Sequence, residues 1–196
     1  MLPQLVPLIL FGIAAGFSPG PNNIVTSHSA FNFGFKKTIP TMLGVISGWT
    51  LLSIFLLLGS AIIFTKFENL QIIIKILGSG YLFFLAYKIS FIETKSGKKV
   101  SRPVTFINTF FFQFVNPKSI IAGSTAVSLF VDVQNNYLRD SIIFVVIMFL
   151  IAIGSQATWC LMGSYLRKFA TSEKFMRYFN YTMSFLLIVC VIMFYV

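Results

Sequence analysis

Two short runs that combine proline with polar side chains interrupt segments that are otherwise apolar enough to cross a membrane. The first run is Ser18–Asn23 and the second is Asn116–Lys118. Each proline removes a backbone donor and clashes with the preceding turn, so both segments should contain a broken helix. Within a bilayer, broken backbone is tolerated only where protein or a wet cavity surrounds it. The pattern therefore predicts a polar site at membrane depth, with a purely structural proline kink as the alternative.

The first break offers groups that suit a zwitterion, which carries a carboxylate and an ammonium. The Asn22 side chain contains both donors and an acceptor. A helix that restarts at the break would present free N–H groups to a carboxylate. Thr26 lies one helical turn beyond Asn22 on the same face. We predict that Gly20, Pro21, Asn22 and Thr26 bind substrate, while capping of the broken backbone remains a second role for the asparagine.

The second break adds two amides and a charge. Asn116 and Gln113 lie three residues apart, and we predict both as substrate-binding residues. Lys118 is a basic residue deep within an apolar segment, where a charge costs at least about 2.5 kcal/mol and so usually faces a cavity or a partner. It could hold a substrate carboxylate or the carbonyl groups at the end of a half-helix. A lysine that snorkels to the membrane surface is the alternative.

His28 is the single histidine of the chain. Because histidine titrates near neutral pH, a proton-coupling role is one interpretation of His28, and a hydrogen bond between helices is the other. The five acidic residues all fall near the predicted loops or helix ends. Carboxylate-based proton coupling and a carboxylate metal site therefore lack an obvious carrier, and we predict no metal, cofactor or catalytic residue.

Composition indicates the fold class that must position these residues. Of the 196 residues, 57% are hydrophobic and 10% are charged, whereas soluble domains are about a quarter charged. We predict an all-α polytopic membrane protein with a single integral domain over 1–196. Six spans of about 20 residues fit this length. Their predicted bounds are Leu2–Phe35 (broken), Ile39–Phe64, Leu70–Phe91, Val104–Val131 (broken), Leu138–Leu166 and Met176–Val196.

The basic residues predict how these spans are oriented. Eleven lie at the first, third and fifth connections and three at the second and fourth. Since basic loops stay in the cytoplasm, both termini should lie outside a multi-pass cell membrane. The first connection is predicted at Lys36-Lys37. The net charge of +10 is spread over loops, which is typical of membrane topology rather than of a nucleic-acid surface.

The two breaks also predict an internal repeat. Asn22 and Asn116 lie 94 positions apart, close to half the chain. Halves of roughly 1–94 and 101–196 would hold three spans each, and an odd number of spans gives the two halves opposite orientations in the membrane. The broken helices, 1 and 4, would then be the first span of each half. Such interrupted helices are the best sequence indication of a transporter's binding site. Three polar residues of the fifth span could either line the cavity or link helices: Ser155, Gln156 and Thr158. Five glycines are predicted to lie at close helix–helix contacts: Gly12, Gly16, Gly20, Gly44 and Gly48.

The run Pro19–Asn22, followed by Gly34, Gly44 and Gly48, resembles the signature of the lysine exporter/homoserine–threonine exporter family (LysE/RhtB). The run Phe111–Lys118 resembles its second motif, and the resemblance extends over the whole chain in length, span count and motif order. It implies export of amino acids from the cytoplasm, generally powered by the proton motive force. The strings Pro21–Ile24 and Gln113–Asn116 look most like the cysteine/O-acetylserine exporters.

Together, these observations predict a secondary transporter, not an enzyme, that exports small neutral amino acids by alternating access. The resemblance leaves a cysteine/O-acetylserine or a threonine/homoserine type open. The expected partners are the amino acid, the lipid bilayer and, as an open case, further copies of the chain. Three alternatives remain: a heavy-metal exporter, a passive channel or scaffold, and a membrane protein that passes electrons between thiols.

Overall fold

The computed structural model describes residues 2–60, 68–90, 103–132, 135–169 and 172–195. Throughout these ranges the regular structure is helical, as the composition predicts. The predicted end of the second span at Phe64, segments 61–67 and 91–102, and the chain end at Val196 lie outside the described residues. We number the α-helices in chain order: α1 (Leu2–Phe17), α2 (Pro21–Phe33), α3 (Phe35–Phe55, extended by a π-helical turn, Leu56–Ser60), α4 (Glu68–Ser90), α5 (Phe106–Phe112), α6 (Pro117–Phe130), α7 (Tyr137–Arg167) and α8 (Glu173–Ile192).

The first apolar segment is broken where its sequence predicts. Helix α1 ends at Phe17, and α2 begins at Pro21, which occupies its first turn. Proline suits this position because the first N–H groups of a helix have no intrahelical acceptor. The axes of the two helices differ in direction by 53°, so the chain changes course at the break.

The connection after α2 is shorter than the sequence indicates. Only Gly34 separates α2 from α3, and its φ of +85° with ψ of 166° is backbone that glycine adopts readily. Lys36 and Lys37 therefore lie in the first turn of α3. Their prediction as the connection itself was wrong, since Gly34 alone connects the two helices.

The second broken segment consists of two short helices. Helix α5 has 7 residues and α6 has 14, so neither alone reaches the length of a membrane span. In the described ranges, four helices are long and apolar enough to cross a bilayer, or five when α1 and α2 count as one bent span. The structure is thus an all-helical membrane architecture, and the number of six stays a prediction.

Helix α2 is the most enclosed element. Ten of its 13 residues are buried, and it packs against α3, α7 and α8. Elsewhere, α5 packs against α3, and α4 packs against α8. The first of these contacts depends on Gly44 and Gly48, because a Cβ there would meet the Phe106 and Phe110 carbonyl oxygens at 2.4 and 2.5 Å. The helix-contact prediction for these two glycines is confirmed.

Candidate functional site

A cavity of about 690 Å³, its opening included, lies between the two helix breaks. Its apolar wall is formed mostly by glycine and alanine residues of α1, α6 and α7, with Trp49 of α3 as its largest side chain. Residues from both breaks and from α7 supply the rest of the wall. They are Gly20, Pro21, Asn22, Asn23, Asn116, Lys118, Ser119, Ser155 and Gln156.

A pair of amides joins one break to the other. Asn22 Nδ2 donates to Gln113 Oε1 at 2.8 Å, and Gln113 Nε2 donates back to Asn22 Oδ1 at 3.0 Å. Gln113 also donates to the Thr109 carbonyl and accepts from the Ser119 hydroxyl. Gln113 is fully buried behind the cavity wall, whereas Asn22 is half-buried and lines the cavity.

Lys118 reaches from the second break to the first. Its Nζ donates to Ser18 Oγ at 2.8 Å and to the Ser18 and Pro19 carbonyl oxygens, both at 3.2 Å. These acceptors follow the C-terminus of α1, where the helix dipole favours a cation. Gly20 makes room for this contact, because a Cβ there would lie 2.7 Å from Nζ. Gly20 was predicted to lie at a close helix–helix contact, but in the structure it makes room for the Lys118 side chain instead.

The carbonyl groups at the end of α1 and in the turn that follows it receive donors from three other helices. The Gly16 oxygen accepts from Asn23 Nδ2 at 2.8 Å and from Ser155 Oγ at 2.7 Å, and the Phe17 oxygen accepts from Trp159 Nε1 at 3.3 Å. Four carbonyl groups at the end of a helix have no intrahelical partner. Side chains of α2, α6 and α7 thus replace the partners that the break removes.

A second set of hydrogen bonds connects the cavity wall to the buried Thr26 of α2. Thr26 Oγ1 donates to Gln156 Oε1 at 2.5 Å, and Gln156 Nε2 donates to Asn23 Oδ1 at 2.9 Å. Asn23, rather than Asn22, therefore shares a partner with Thr26. Asn23 and Thr26 are three residues apart, so they lie on one side of the helix.

The second break is capped from within its own sequence. Asn116 is the N-cap of α6, and its Oδ1 accepts from the Lys118 backbone N–H at 3.2 Å. Asn116 is buried but borders the cavity. Helix α2 differs, because its N-cap is Gly20, which offers no side-chain acceptor to the first turn.

Five of the eight residues that we predicted for the site line the cavity: Gly20, Pro21, Asn22, Asn116 and Lys118. Thr26 and Gln113 lie one hydrogen bond behind it. His28 does not line it and is buried further along α2. Whether any of them touches substrate stays a prediction.

Sequence reasoning did not select Asn23, which donates to the Gly16 and Ser18 carbonyl groups and accepts from Gln156. The one sequence feature that could have indicated Asn23 is its position directly after Asn22. Ser155 and Gln156 both line the cavity and link helices. Thr158 does neither, since its exposed hydroxyl donates to the Gly154 carbonyl of its own helix.

The two helices that restart after the breaks align by their prolines. Pro21 and Pro117 both occupy the first turn of their helices. By this alignment Lys118 corresponds to Asn22, and Asn116 corresponds to Gly20. The sequence analysis paired Asn22 with Asn116, whereas alignment of the two helix starts pairs Asn22 with Lys118, two residues further along the chain.

A family model described as LysE type translocator matches residues 13–196. The chain belongs to this family. A cysteine/O-acetylserine efflux protein of Escherichia coli is 29% identical over 185 residues, covering 93% of this chain and 92% of that protein. A protein of Shigella flexneri with the same description is 28% identical over 196 residues, covering 96% and 98%. No solved structure matches this LysE-family chain.

Membership settles the broad class that composition predicted. LysE-family proteins are translocators in membranes and not enzymes. The cavity between the breaks is therefore a candidate translocation site rather than an active site.

Proposed function

We propose that this LysE-family protein exports small neutral amino acids, of the cysteine or O-acetylserine type, by alternating access at the cavity between its helix breaks. The observation that carries the proposal is that both breaks border one cavity and are joined by Asn22, Gln113 and Lys118. Efflux of cysteine and O-acetylserine is the described activity of the two relatives. Discontinuous helices are a common way for transporters to build a substrate site.

The wall groups fit an amino acid's backbone. The first turn of α2 has no side-chain cap, so its N–H groups favour a carboxylate. Lys118 lies beside this turn and supplies the positive charge. The side-chain oxygens of Asn22 and Gln156 each accept one hydrogen bond from the protein, and each has a second lone pair that could accept from an ammonium group. Asn116 borders the same space, and its amide would contact the substrate while its Oδ1 holds the cap.

The remaining wall favours a small and uncharged side chain. Ala15, Ala122, Ala126 and Ala152 leave room next to Trp49 but provide no hydrogen-bonding side chain. Among the residues described around the cavity there is no carboxylate to pair with a cationic side chain. Lysine should therefore be a poorer substrate than O-acetylserine, because its ammonium would lose water without gaining a partner.

For the architecture we propose six spans in two inverted halves, roughly 1–94 and 101–196, within a single domain. The packing supports this arrangement: α1 and α2 pack against α7, and α5 and α6 pack against α3. A two-fold exchange of the halves interconverts these contacts, and the contact of α4 with α8 maps onto itself. Charge distribution supports placing both termini outside the cell membrane. Alternating access would then be a rocking of one half against the other around the cavity.

Counterflow in proteoliposomes tests this function. Vesicles are loaded with one unlabelled amino acid, and uptake of labelled cysteine, O-acetylserine, threonine, leucine or lysine is followed. We expect saturable exchange of cysteine or O-acetylserine and little exchange of lysine. A matched control is Asn22→Ala, which removes the cavity amide. If the folded wild-type protein exchanges none of the five, the proposed function is wrong.

A further inference from the structure

A second polar cluster lies on α2 beyond the cavity. Residues 27–32 of this one helix hold five buried polar atoms without a hydrogen-bond partner in the described structure: Ser27 Oγ, both ring nitrogens of His28, Ser29 Oγ and Asn32 Oδ1. His28 itself is 2% exposed. Buried polar groups normally have partners, so a concentration of unpaired atoms on one helix needs an explanation.

The unpaired imidazole belongs to a contact between α2 and α8. His28 and Asn32 are four residues apart and thus lie on the same face of α2. Asn32 Nδ2 donates to Asn180 Oδ1 of α8 at 2.8 Å, and Asn180 is 1% exposed. The His28 ring lies near the Asn180 amide, and neither of its ring nitrogens has a hydrogen-bond partner in the described structure. One ionisable ring and two amides therefore meet at this helix contact.

The helices around this cluster keep their charged groups at their ends. On the elements packed against α2, and on α4, which packs against α8, the charged side chains described near the cluster's end of the bundle are all exposed: Lys36 and Lys37 of α3, Lys88 of α4, Arg167 of α7, and Glu173, Lys174 and Arg177 of α8. The buried titratable groups described on α7 and α8 are the thiols of Cys160 and Cys190 and the Asp140 carboxyl. Asp140 lies near the start of α7, at the opposite end from Gly163, which contacts Ser27. A charge gained by the His28 ring would thus be the one buried charge of this contact, with amide and hydroxyl oxygens around it.

We propose that His28, Asn32 and Asn180 form a protonation site that fills and empties in each transport cycle. A hydronium ion transfers a proton to the free ring nitrogen of His28: one N–H bond forms, one O–H bond of the hydronium ion breaks, and a water molecule is left. Both ring nitrogens then donate, and the oxygens of Asn32 and Asn180 face them as acceptors. On release, the same N–H bond breaks and the proton returns to water on the opposite side.

The site is linked to the cavity through α2. This helix carries the cavity residues Asn22 and Asn23 at its start and His28 in its second half. Any movement that opens the α2–α8 contact to water therefore also moves the cavity wall. The inference rests on the proposed function, because the filling and emptying of the site would set the direction of export.

The transport test separates exchange from proton-driven movement. In proteoliposomes with an imposed pH gradient, we expect O-acetylserine transport by the wild-type protein to rise at least about fivefold, within the usual range of coupling between two sites. His28→Gln should lose this stimulation while counterflow at equal pH continues. Ser29→Ala, the matched control, removes a neighbouring unpaired hydroxyl and should respond to the gradient as the wild type does. The same stimulation in His28→Gln as in the wild type would overturn the proposal.

A second measurement needs no substitution. Because the chain has one histidine, protein labelled with ¹⁵N-histidine, purified without a histidine tag and placed in nanodiscs gives ring signals from His28 alone. We expect these signals to report protonation as pH falls, and addition of O-acetylserine to shift the midpoint. A ring that stays neutral from pH 4 to 9, with and without O-acetylserine, would overturn the proposal. If the wild type shows no exchange, the proposed function fails, and the titration still decides whether His28 takes up a proton.

Discussion

The two helix breaks look alike in sequence but are stabilised in different ways. The second is largely self-contained: Asn116 caps α6, and the turn after α5 is closed by bonds from the Gln113, Phe114 and Val115 N–H groups to carbonyls three residues earlier. The first depends on other helices, since the carbonyl groups at and just after the end of α1 accept from Asn23, Lys118, Ser155 and Trp159. At the first break the start of α2 also stays uncapped.

This difference indicates that the two breaks have different roles. A break that is closed within its own sequence can hold its shape while other parts of the molecule move. A break whose partners lie on α6 and α7 changes whenever those helices shift, and its uncapped N–H groups remain available to a ligand. The first break would then sense substrate and the second would act as its support. The following substitutions test this contrast.

Removing the ammonium of Lys118 should have the largest effect. Lys118→Met keeps the length of the side chain but leaves the Pro19 carbonyl and the Ser18 hydroxyl without this donor. Since hydrogen bonds to a charged group contribute about 1.5–3 kcal/mol each, we expect the free energy of unfolding to fall by about 3 kcal/mol. Counterflow should be lost as well. Thermal melts and exchange are compared with those of Lys88→Met, an exposed lysine of α4; equal behaviour of the two variants would contradict the account.

The amide pair should show coupling between the breaks. In a double-mutant cycle of Asn22→Ala and Gln113→Ala, groups in direct contact are expected to give an interaction energy of about 0.5–3 kcal/mol. Chemical or thermal unfolding of the four proteins supplies the cycle. Ser128→Ala replaces Gln113→Ala in the control cycle, because the Ser128 hydroxyl bonds only within α6. Additive effects in the first cycle would mean that the pair does not join the breaks.

Capping at the second break should matter for stability more than for substrate affinity. Loss of an N-cap side chain costs about 1 kcal/mol, and serine is nearly as good a cap as asparagine. We therefore expect Asn116→Ala to lower the melting temperature and Asn116→Ser to restore it. Counterflow by Asn116→Ser should fall less than counterflow by Asn22→Ala, because serine keeps the cap and loses only the amide contact. If it fails as completely as Asn22→Ala, the second break contacts substrate more closely than a support would.

The smallest effect should come from Trp159. Trp159→Phe removes one neutral hydrogen bond to the Phe17 carbonyl, which corresponds to about 1 kcal/mol or less. Exchange should change little. Thr158→Val is the matched control on the same helix, since its hydroxyl serves only its own backbone. If Trp159→Phe lost as much exchange as Lys118→Met, the prediction that the Lys118 donor matters more than the Trp159 donor would be wrong.

The positions of the breaks could be predicted because proline acts locally. Pro21 and Pro117 end up in the first turn of a helix, whatever surrounds them. The same local reasoning misplaced the first connection, because a single Gly34 can turn the chain where two lysines look more like a loop. It also aligned Asn22 with Asn116 by residue type, whereas the helices align by their prolines.

The partners of the polar residues could not be predicted because packing decides them. Sequence spacing put Thr26 on a stripe with Asn22, yet Gln156 of α7 connects Thr26 to Asn23 instead. The role of Lys118 was left open between a substrate carboxylate and half-helix carbonyls, and the described contacts are with carbonyls and the Ser18 hydroxyl. A single sequence does not contain the angle at which α7 and α6 meet α1.

The central claim is that the cavity between the breaks holds the transported amino acid. Ala122 lines this cavity, and Ala122→Phe would fill it, whereas Ala14→Phe places the same ring on an exposed face of α1. The measurement is O-acetylserine counterflow by both variants in proteoliposomes, after thermal melts have shown that each is folded. We expect Ala122→Phe to lose exchange and Ala14→Phe to retain it. Wild-type exchange by Ala122→Phe would contradict the account, because the amino acid would then cross the protein somewhere else.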